Sequence, residues 1–172
     1  KYGIGTFGQE AYRFVDQLVD AQQTFWQVLP VGPTSFGDSP YQSFSAFAGN
    51  PYFIDLEYLV QEGLLTKEDI ASREWGVEPS DVAYATIYNN RFDVLRIAYH
   101  NSEHKDTDEY VEFCENNTYW LDDYSFYMAL KNKFDNKSWS DWDEDIKFRK
   151  QDALDKYQKE LQDDIDFWKF CQ

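Results

Sequence analysis

The stretch from Gly32 to Tyr52, GPTSFGDSPYQSFSAFAGNPY, constrains the fold more than any other part of the chain. It contains three prolines, three glycines and five aromatic residues within 21 positions. Glycine and proline fix special backbone angles and interrupt regular structure, and five aromatic side chains are more apolar surface than a solvated loop usually carries. A long loop of this composition is typically functional rather than a connector. We therefore interpret it as a binding surface for a ligand with flat faces and polar edges.

Two regular elements are predicted immediately before this loop. Gln9 to Ala21 carries apolar side chains at the i, i+3, i+4, i+7 spacing of an amphipathic helix. Phe25 to Leu29 is an apolar run that predicts a β-strand, ended by Pro30, which cannot donate a hydrogen bond to a sheet. A helix that leads into a strand is half of an α/β repeat. The loop would then begin at the carboxyl end of the strand, where parallel α/β folds assemble their sites.

The rest of the chain is predicted to be helical. Asp55 to Glu62 should form a short helix, and Thr66 with Asp69 resembles a capping box that opens another. Beyond Ser80, apolar stripes at helical spacing predict three longer helices. Their marker residues are Tyr84, Ile87, Tyr88, Phe92, Leu95 and Tyr99; Trp120, Leu121, Tyr124, Tyr127, Met128 and Phe134; and Tyr157, Leu161, Ile165, Trp168 and Cys171. One strand among so many helices is not a complete α/β domain, so we interpret the chain as a fragment of a larger fold.

The charge of the chain excludes several classes of partner. Its 32 acidic and 16 basic residues give a formal net charge of −16, which repels nucleic acids and anionic membrane surfaces. No run approaches the roughly 18 consecutive apolar residues of a membrane span, and no secretory signal pattern is visible. Cys114 and Cys171 fit no metal-binding or redox spacing and are interpreted as buried or half-buried apolar residues. We expect a cytoplasmic protein.

The aromatic content has two interpretations that the sequence leaves open. Phe, Tyr and Trp make up 19% of the chain, and at helical spacing most of them would fill a core. Sugar rings, however, lie on aromatic faces and need carboxylates and amides as hydrogen-bond partners, and an acidic chain rich in Tyr and Trp supplies both. Carbohydrate binding and an aromatic-rich core without such a role therefore both remain possible.

Few residues are candidates for direct chemistry. His100 and His104 are four positions apart, but the expected loop setting and the missing third ligand argue against a metal site. No nucleophile elbow, P-loop or dinucleotide-binding pattern is present. Asp38 is the one carboxylate marked out by its setting, inside the aromatic loop. It could be part of a glycoside-cleaving pair, or it could stabilise the turn Gly37-Asp38-Ser39-Pro40 through its own backbone.

Longer motifs in the chain resemble a known family. The run WQVLPVGPTSFGDSPYQSFSAFAGNPYFIDL is similar to the N-terminal signature of the 4-α-glucanotransferases (amylomaltases or disproportionating enzymes) of the α-amylase superfamily. The segments YGIGTFGQEAYRFVD, WLDDYSFYMALKNKF and DDIDFWKFCQ resemble that family in the same order. The resemblance covers nearly the whole chain. It implies a cytosolic retaining transglycosylase that cleaves an α-1,4-glucan, holds the glucosyl chain on an Asp and passes it to a 4-hydroxyl of another glucan, without a metal or cofactor.

The resemblance also implies a fold and a division of the chain. The fold is a (β/α)8 barrel with helical insertions, which needs about 250 residues before insertions. Residues 1–56 would form the first β/α unit with its aromatic loop, and residues 57–172 a mostly α-helical insertion subdomain. The family's catalytic Asp, Glu and second Asp would all lie beyond Gln172, so the segment alone should be inactive.

Within the segment, the resemblance assigns binding roles. Tyr41 matches the family's tyrosine that stacks on the sugar ring undergoing attack, Ser39 lies near the same subsite, and Asp38 and Gln42 flank it. Phe36 falls where several family members carry a tyrosine in a secondary glucan-binding groove, so it keeps the stacking surface without the hydroxyl. Tyr84 is a further candidate for glucan binding, because it lies in VAYATIY, which resembles a family element near that groove. Its alternative role is packing in the core.

A second hypothesis from another class is a stand-alone carbohydrate-binding or helical interaction module. The two hypotheses differ in whether the segment can fold on its own. A segment of a barrel would expose sheet edges and apolar faces, and is expected to aggregate or to be partly molten when isolated from the remainder of the parent polypeptide.

Overall fold

The computed structural model describes residues 2–35, 37–76, 78 and 80–172. Within these residues the regular structure is entirely helical, and we number the α-helices in chain order. They are α1 (Gln9–Asp20), α2 (Leu56–Gln61), α3 (Lys67–Ala71), α4 (Tyr84–Asn101), α5 (Asp108–Lys133), α6 (Glu144–Lys147), α7 (Gln151–Glu160) and α8 (Gln162–Cys171). Short 3-10 turns lie at Pro51–Phe53, His104–Asp106 and Trp139–Asp141.

The chain separates into two compact units, Lys1–Ser102 and Glu103–Gln172. The first unit contains the aromatic loop and α1 to α4, and the second contains α5 to α8. The boundary between these units separates two groups of residues that pack mainly among themselves. The boundary predicted after residue 56 is of another kind, because it separates a barrel unit from an insertion, and it stays a prediction. No helix in the described part of the chain is long and apolar enough to cross a membrane.

The amphipathic helix predicted at the N-terminus is confirmed as α1, but its apolar stripe is not buried. None of its twelve residues is buried, and Phe14, Val15 and Val19 are all exposed. An amphipathic helix is normally stabilised by packing its apolar face against a neighbour. The described chain covers this face only in part: the Phe14 ring lies 4.9 Å from that of Trp26, and Ala11 lines a cavity together with Trp26.

The strand predicted at Phe25–Leu29 is not present. The segment runs without regular structure, and no strand pairs with it among the residues that the structure describes. Its side chains are exposed, with Phe25 at 91%. A strand is defined by hydrogen bonds to a neighbouring strand, so an apolar, strand-like sequence cannot form one where no partner is available.

The two short helices of the first unit begin at side-chain caps, of which the sequence predicts the second. Asp55 accepts a hydrogen bond from the backbone N–H of Glu57 at 2.8 Å and so starts α2. The capping box before α3 is confirmed: Thr66 Oγ1 accepts from the Asp69 N–H, and the Asp69 carboxylate accepts from the Thr66 N–H. These bonds satisfy backbone donors that a helix start otherwise leaves free.

Replacing Thr66 with Ala should destabilise the first unit by about 1 kcal/mol, because the Asp69 N–H loses the Thr66 hydroxyl that accepts its hydrogen bond. The effect is expected as a lower melting temperature in thermal unfolding of the full-length parent protein. Thr118→Ala is the control, since Thr118 lies within α5 and its hydroxyl reaches the Glu115 carbonyl only at 3.5 Å. Equal melting temperatures for the two variants would contradict a stabilising role for the box.

The helix predicted from Tyr84 onward is confirmed as α4, which supplies five of the ten buried apolar residues described in the first unit. Its fully buried apolar side chains are joined by Leu56 from α2 and by the buried Tyr52. The aromatic side of this core is formed by rings of the loop end and α4, with Tyr52 5.9 Å from Phe92 between ring centroids. The buried apolar residues of α4 are Ile87, Val94, Leu95, Ala98 and Tyr99.

The second unit is built on α5 and α8, which pack along each other. The helix predicted from Trp120 to Phe134 is confirmed as part of α5, which begins earlier, at Asp108. The helix predicted from Tyr157 to Cys171 is interrupted: α7 ends at Glu160 and α8 starts at Gln162, with Leu161 between them at φ −105° and ψ 18°. Leu161 is itself buried, so the apolar stripe continues through the interruption and periodicity cannot reveal it.

Both cysteines lie in the second unit, and neither is part of a disulfide. Cys171 is buried and Cys114 half-buried, which confirms their interpretation as small apolar residues. His100 ends up in the last turn of α4 and His104 in a 3-10 turn rather than in a common loop. No group of three or more His, Cys, Asp or Glu side chains that could hold a metal ion occurs among the described residues.

Candidate functional site

The aromatic loop is closed at its base by the backbone. The N–H of Asn50 donates to the carbonyl of Val31 at 3.0 Å, which joins the two ends of the loop. The Asn50 side chain then accepts from the Tyr52 N–H at 3.0 Å and starts the turn Pro51–Phe53. Proline at the first position of that turn has no N–H to leave unsatisfied. The loop is therefore anchored where it leaves and re-enters the first unit.

Within the loop, serine side chains form hydrogen bonds with backbone groups that belong to no helix or strand. Ser43 Oγ donates to the Ser45 carbonyl at 2.7 Å, and Ser45 Oγ accepts from the N–H groups of Phe47 and Ala48 at 3.3 and 3.1 Å. Hydroxyl groups that bond nearby backbone atoms stabilise turns in this way. The serines that alternate with the aromatic residues thus shape the backbone.

The turn that carries the predicted binding residues has an unusual backbone. Gly37 and Asp38 both have positive φ, +86° and +55°, in the left-handed region that Gly tolerates freely and Asp better than most residues. The N–H of Asp38 donates to the Ser35 carbonyl at 3.0 Å, and that of Gln42 to the Ser39 carbonyl at 3.1 Å. These are backbone bonds and do not involve the Asp38 carboxylate, so both roles considered for that side chain stay predictions.

The predicted stacking residue projects into solvent. Tyr41 is 74% exposed, one of the most exposed aromatic residues of the described chain. Its backbone N–H lies 3.4 Å from Ser39 Oγ, and Gln42 beside it is also exposed. An exposed tyrosine on an anchored turn can offer a ring face to a ligand with little loss of side-chain entropy on binding.

Of the two outer candidates, Tyr84 lies beside the loop and Phe36 is outside the described residues. Tyr84, at the start of α4, lines the same cavity as Thr34 and Pro40 of the loop. Its ring centroid is 6.5 Å from that of Tyr52 at the loop end. The fold thus brings together residues that are more than 30 positions apart in sequence.

Tyr52 connects this aromatic group to the loop's carboxylate. Burial raises the pKa of the Tyr52 phenol, and the nearby Asp38 carboxylate raises it further, with smaller contributions from Tyr88 and Tyr84. The phenol stays protonated as a result, because a phenolate would be both desolvated and repelled. The sequence analysis did not single out Tyr52; a tyrosine following Asn-Pro at a turn gives no sign of burial.

A cavity of about 320 Å³ lies under the loop in the first unit. Its walls come from the N-terminal segment 4–7, from residues 26–34, from the loop and from α4. The volume is within the range of small-molecule sites, and its lining is largely apolar with a few polar groups such as Thr6, Thr34 and Asn50. None of the described lining residues carries a carboxylate. This arrangement can hold and orient a sugar ring, but it provides no acid–base pair.

One family model, described as 4-alpha-glucanotransferase, matches residues 1–172. The 4-alpha-glucanotransferase of Clostridium butyricum is 52% identical over 100% of this chain, and that of Streptococcus pneumoniae serotype 4 is 47% identical over 99%. The 4-alpha-glucanotransferase of Thermus thermophilus is 38% identical over 99%. These alignments cover 34–35% of the relatives' own lengths, so the chain spans about a third of each.

The comparison of folds also points to the 4-alpha-glucanotransferases. A solved structure of amylomaltase from Streptococcus agalactiae in complex with acarbose matches 99% of this chain with a TM-score of 0.91 and 42% sequence identity, and the match covers 35% of that chain. By fold, the chain is a helical N-terminal segment of an amylomaltase-like protein. It belongs to the 4-alpha-glucanotransferase family.

Proposed function

We propose that this chain is the N-terminal part of a retaining α-1,4-glucan transglycosylase. The observation that carries the proposal is the match of the entire chain, residues 1–172, to the 4-alpha-glucanotransferase family. The parent enzyme cleaves an α-1,4 bond, holds the glucosyl chain covalently on an Asp, and transfers it to the 4-hydroxyl of glucose or another glucan. Its substrates are neutral maltooligosaccharides, which a chain with a net charge of −16 does not repel. We place the parent in the cytoplasm.

In this proposal the segment binds the glucan, and the rest of the parent polypeptide supplies the residues that catalyse the transfer. Tyr41 stacks on the sugar ring whose anomeric carbon is attacked, where an electron-rich ring face favours positive charge developing in the transition state. Ser39, Asp38 and Gln42 hydrogen-bond to the hydroxyls of that sugar. Tyr84 and Phe36 form an outer stacking platform. The catalytic carboxylates belong to the part of the parent that this chain does not contain.

The parent fold in this proposal is a (β/α)8 barrel. Residues 1–56 contribute to its first unit, and residues 57–172 form a helical insertion. The exposed apolar residues of α1 and of the segment 25–31 support this assignment, because neighbouring barrel elements would cover them.

The test is a disproportionation assay with the parent protein. Incubated with maltotriose, it should release glucose and produce a ladder of longer maltooligosaccharides, which chromatography with amperometric detection resolves. The 172-residue segment alone, at the same molar concentration, should produce neither. Maltotriose that is only hydrolysed, without longer products, would contradict a transferase.

The alternative, a stand-alone binding module, makes a different prediction for the isolated segment. An autonomous module would melt cooperatively and would itself bind a maltooligosaccharide. A barrel segment with the exposed apolar face described above should instead bind a hydrophobic dye and aggregate on heating. Calorimetry and titration of the segment with maltoheptaose separate the two.

A further inference from the structure

Among the described residues of the first unit, the most deeply buried charge is that of Arg91, the eighth residue of α4. It is 0% exposed. Its Nη1 donates to the Ile54 carbonyl at 3.0 Å, and its guanidinium carbon lies 5.3 Å from the centroid of the Trp75 ring. Burial lowers the pKa of Arg91 to about 10, against the opposing effect of the Asp55 carboxylate. Arg91 therefore remains charged at neutral pH although it is fully buried.

Stability alone does not account for an arginine at this position. Among the described residues, its Nε and Nη2 make no hydrogen bond although both are buried. Buried N–H groups without partners cost free energy, and buried ionic groups are often no more stabilising than apolar side chains of similar volume. An apolar residue would fill the same space without this cost. The guanidinium must contribute something other than packing.

Its contacts lie where the aromatic loop rejoins the core. Ile54, whose carbonyl it binds, follows the loop by two residues, and Asp55 comes next. Asp55 is 7% exposed; its carboxylate accepts from Thr6 Oγ1 at 2.8 Å and from the Glu57 N–H at 2.8 Å. The charge of Arg91 thus stands beside a carboxylate that ties the loop end to the N-terminal segment.

This junction sets two walls of the cavity. The Phe7 N–H donates to the Phe53 carbonyl at 2.9 Å, and the two rings meet edge to face at 5.4 Å between centroids. Thr6, Phe7, Asn50 and Phe53 all line the cavity. A shift of residues 53–55 would therefore move both the N-terminal wall and the anchored end of the loop.

We infer that Arg91 is a positioning residue: from α4 it fixes residues 53–55 and, through them, the placement of the aromatic loop over the cavity. The inference rests on the proposed function for its link to catalysis. Arg91 touches no substrate itself. It acts by holding the end of the loop that carries Tyr41, so that its loss should affect the transition state, where orientation matters most, more than ground-state binding.

The test compares Arg91→Met and Arg91→Lys in the full-length parent. Arg91→Met keeps most of the volume, so the melting temperature should stay within a few degrees of wild type, while kcat for maltotriose disproportionation falls at least tenfold and KM changes less than threefold. Arg91→Lys retains a donor for the Ile54 carbonyl and should recover a large part of kcat. Arg149→Met is the matched control: its partner Asp123 is on the exposed surface of the second unit, and kcat should be unchanged.

Hydrogen exchange provides a readout that does not depend on activity. Amides of residues 50–57 should exchange faster in Arg91→Met than in wild type, and amides of α5 should not. If wild-type parent shows no disproportionation, the proposed function fails and the exchange result still decides the positioning role. Unchanged exchange at 50–57, an unchanged kcat, or a loss of folding in Arg91→Met that Arg91→Lys does not correct would each overturn the inference.

Discussion

Tyr41→Ala in the full-length parent should lower kcat/KM for maltotriose disproportionation by roughly 10- to 100-fold. The expected loss is that of a ring face worth about 1–3 kcal/mol next to a developing positive charge. The side chain is 74% exposed, so its removal leaves no cavity in the core and folding should not change. Initial rates of glucose release at several maltotriose concentrations, together with the melting temperature, measure both effects.

Two further variants show whether the ring is responsible. Tyr41→Phe keeps the stacking face and loses only the hydroxyl, so it should retain most of the activity. Tyr119→Ala removes a tyrosine of similar exposure, 70%, from α5 in the second unit, and should stay within about twofold of wild type, as is usual for surface changes away from a site. Turnover of Tyr41→Ala equal to that of Tyr119→Ala would remove Tyr41 from the site.

The helices could be predicted from the sequence because their signals are local. Apolar spacing identified α1, α4 and α5, and the Thr66–Asp69 pair identified the start of α3, since each pattern acts over one or two turns. The strand at Phe25–Leu29 depended on a partner elsewhere, which periodicity does not report. The interruption at Leu161 was missed for a related reason: a residue that stays buried keeps the stripe intact while its backbone leaves the helix.

The candidate site was predictable only in part. Composition marked out the aromatic loop, and the family resemblance pointed to Tyr41 and Tyr84. The residues that hold the loop in place were not visible, because they act through tertiary contacts. Arg91 is one of many charges on a predicted helix, and Asp55 is the first residue of another. Gly8 is the clearest case. In the sequence it is one of three glycines in KYGIGTFG, and only the folded chain shows that it differs from Gly5.

Gly8→Ala should destabilise the first unit strongly, with a loss of about 3 kcal/mol or more. A Cβ at Gly8 would lie 1.5 Å from Asp55 Oδ2 and 2.4 Å from its Cγ, so the buried carboxylate would have to move. Its bonds to Thr6 and to the N–H of Glu57 would be lost with it. Overpacking and broken hydrogen bonds to a buried charge each cost about 1–3 kcal/mol. Thermal unfolding of the parent measures the effect.

Gly5→Ala is the matched control, three residues away in the same segment. No atom lies within 4 Å of a Cβ built there, and its φ is not in the left-handed region, so alanine should be neutral or slightly stabilising through the entropy of the unfolded chain. The double variant Gly8→Ala with Asp55→Ala should be close in stability to Asp55→Ala alone, because the clash is mainly with the carboxylate and leaves a 3.0 Å contact with the Cβ of residue 55. A Gly8→Ala variant as stable as Gly5→Ala would show that the N-terminal segment adjusts freely, and that Asp55 does not fix it against the loop end.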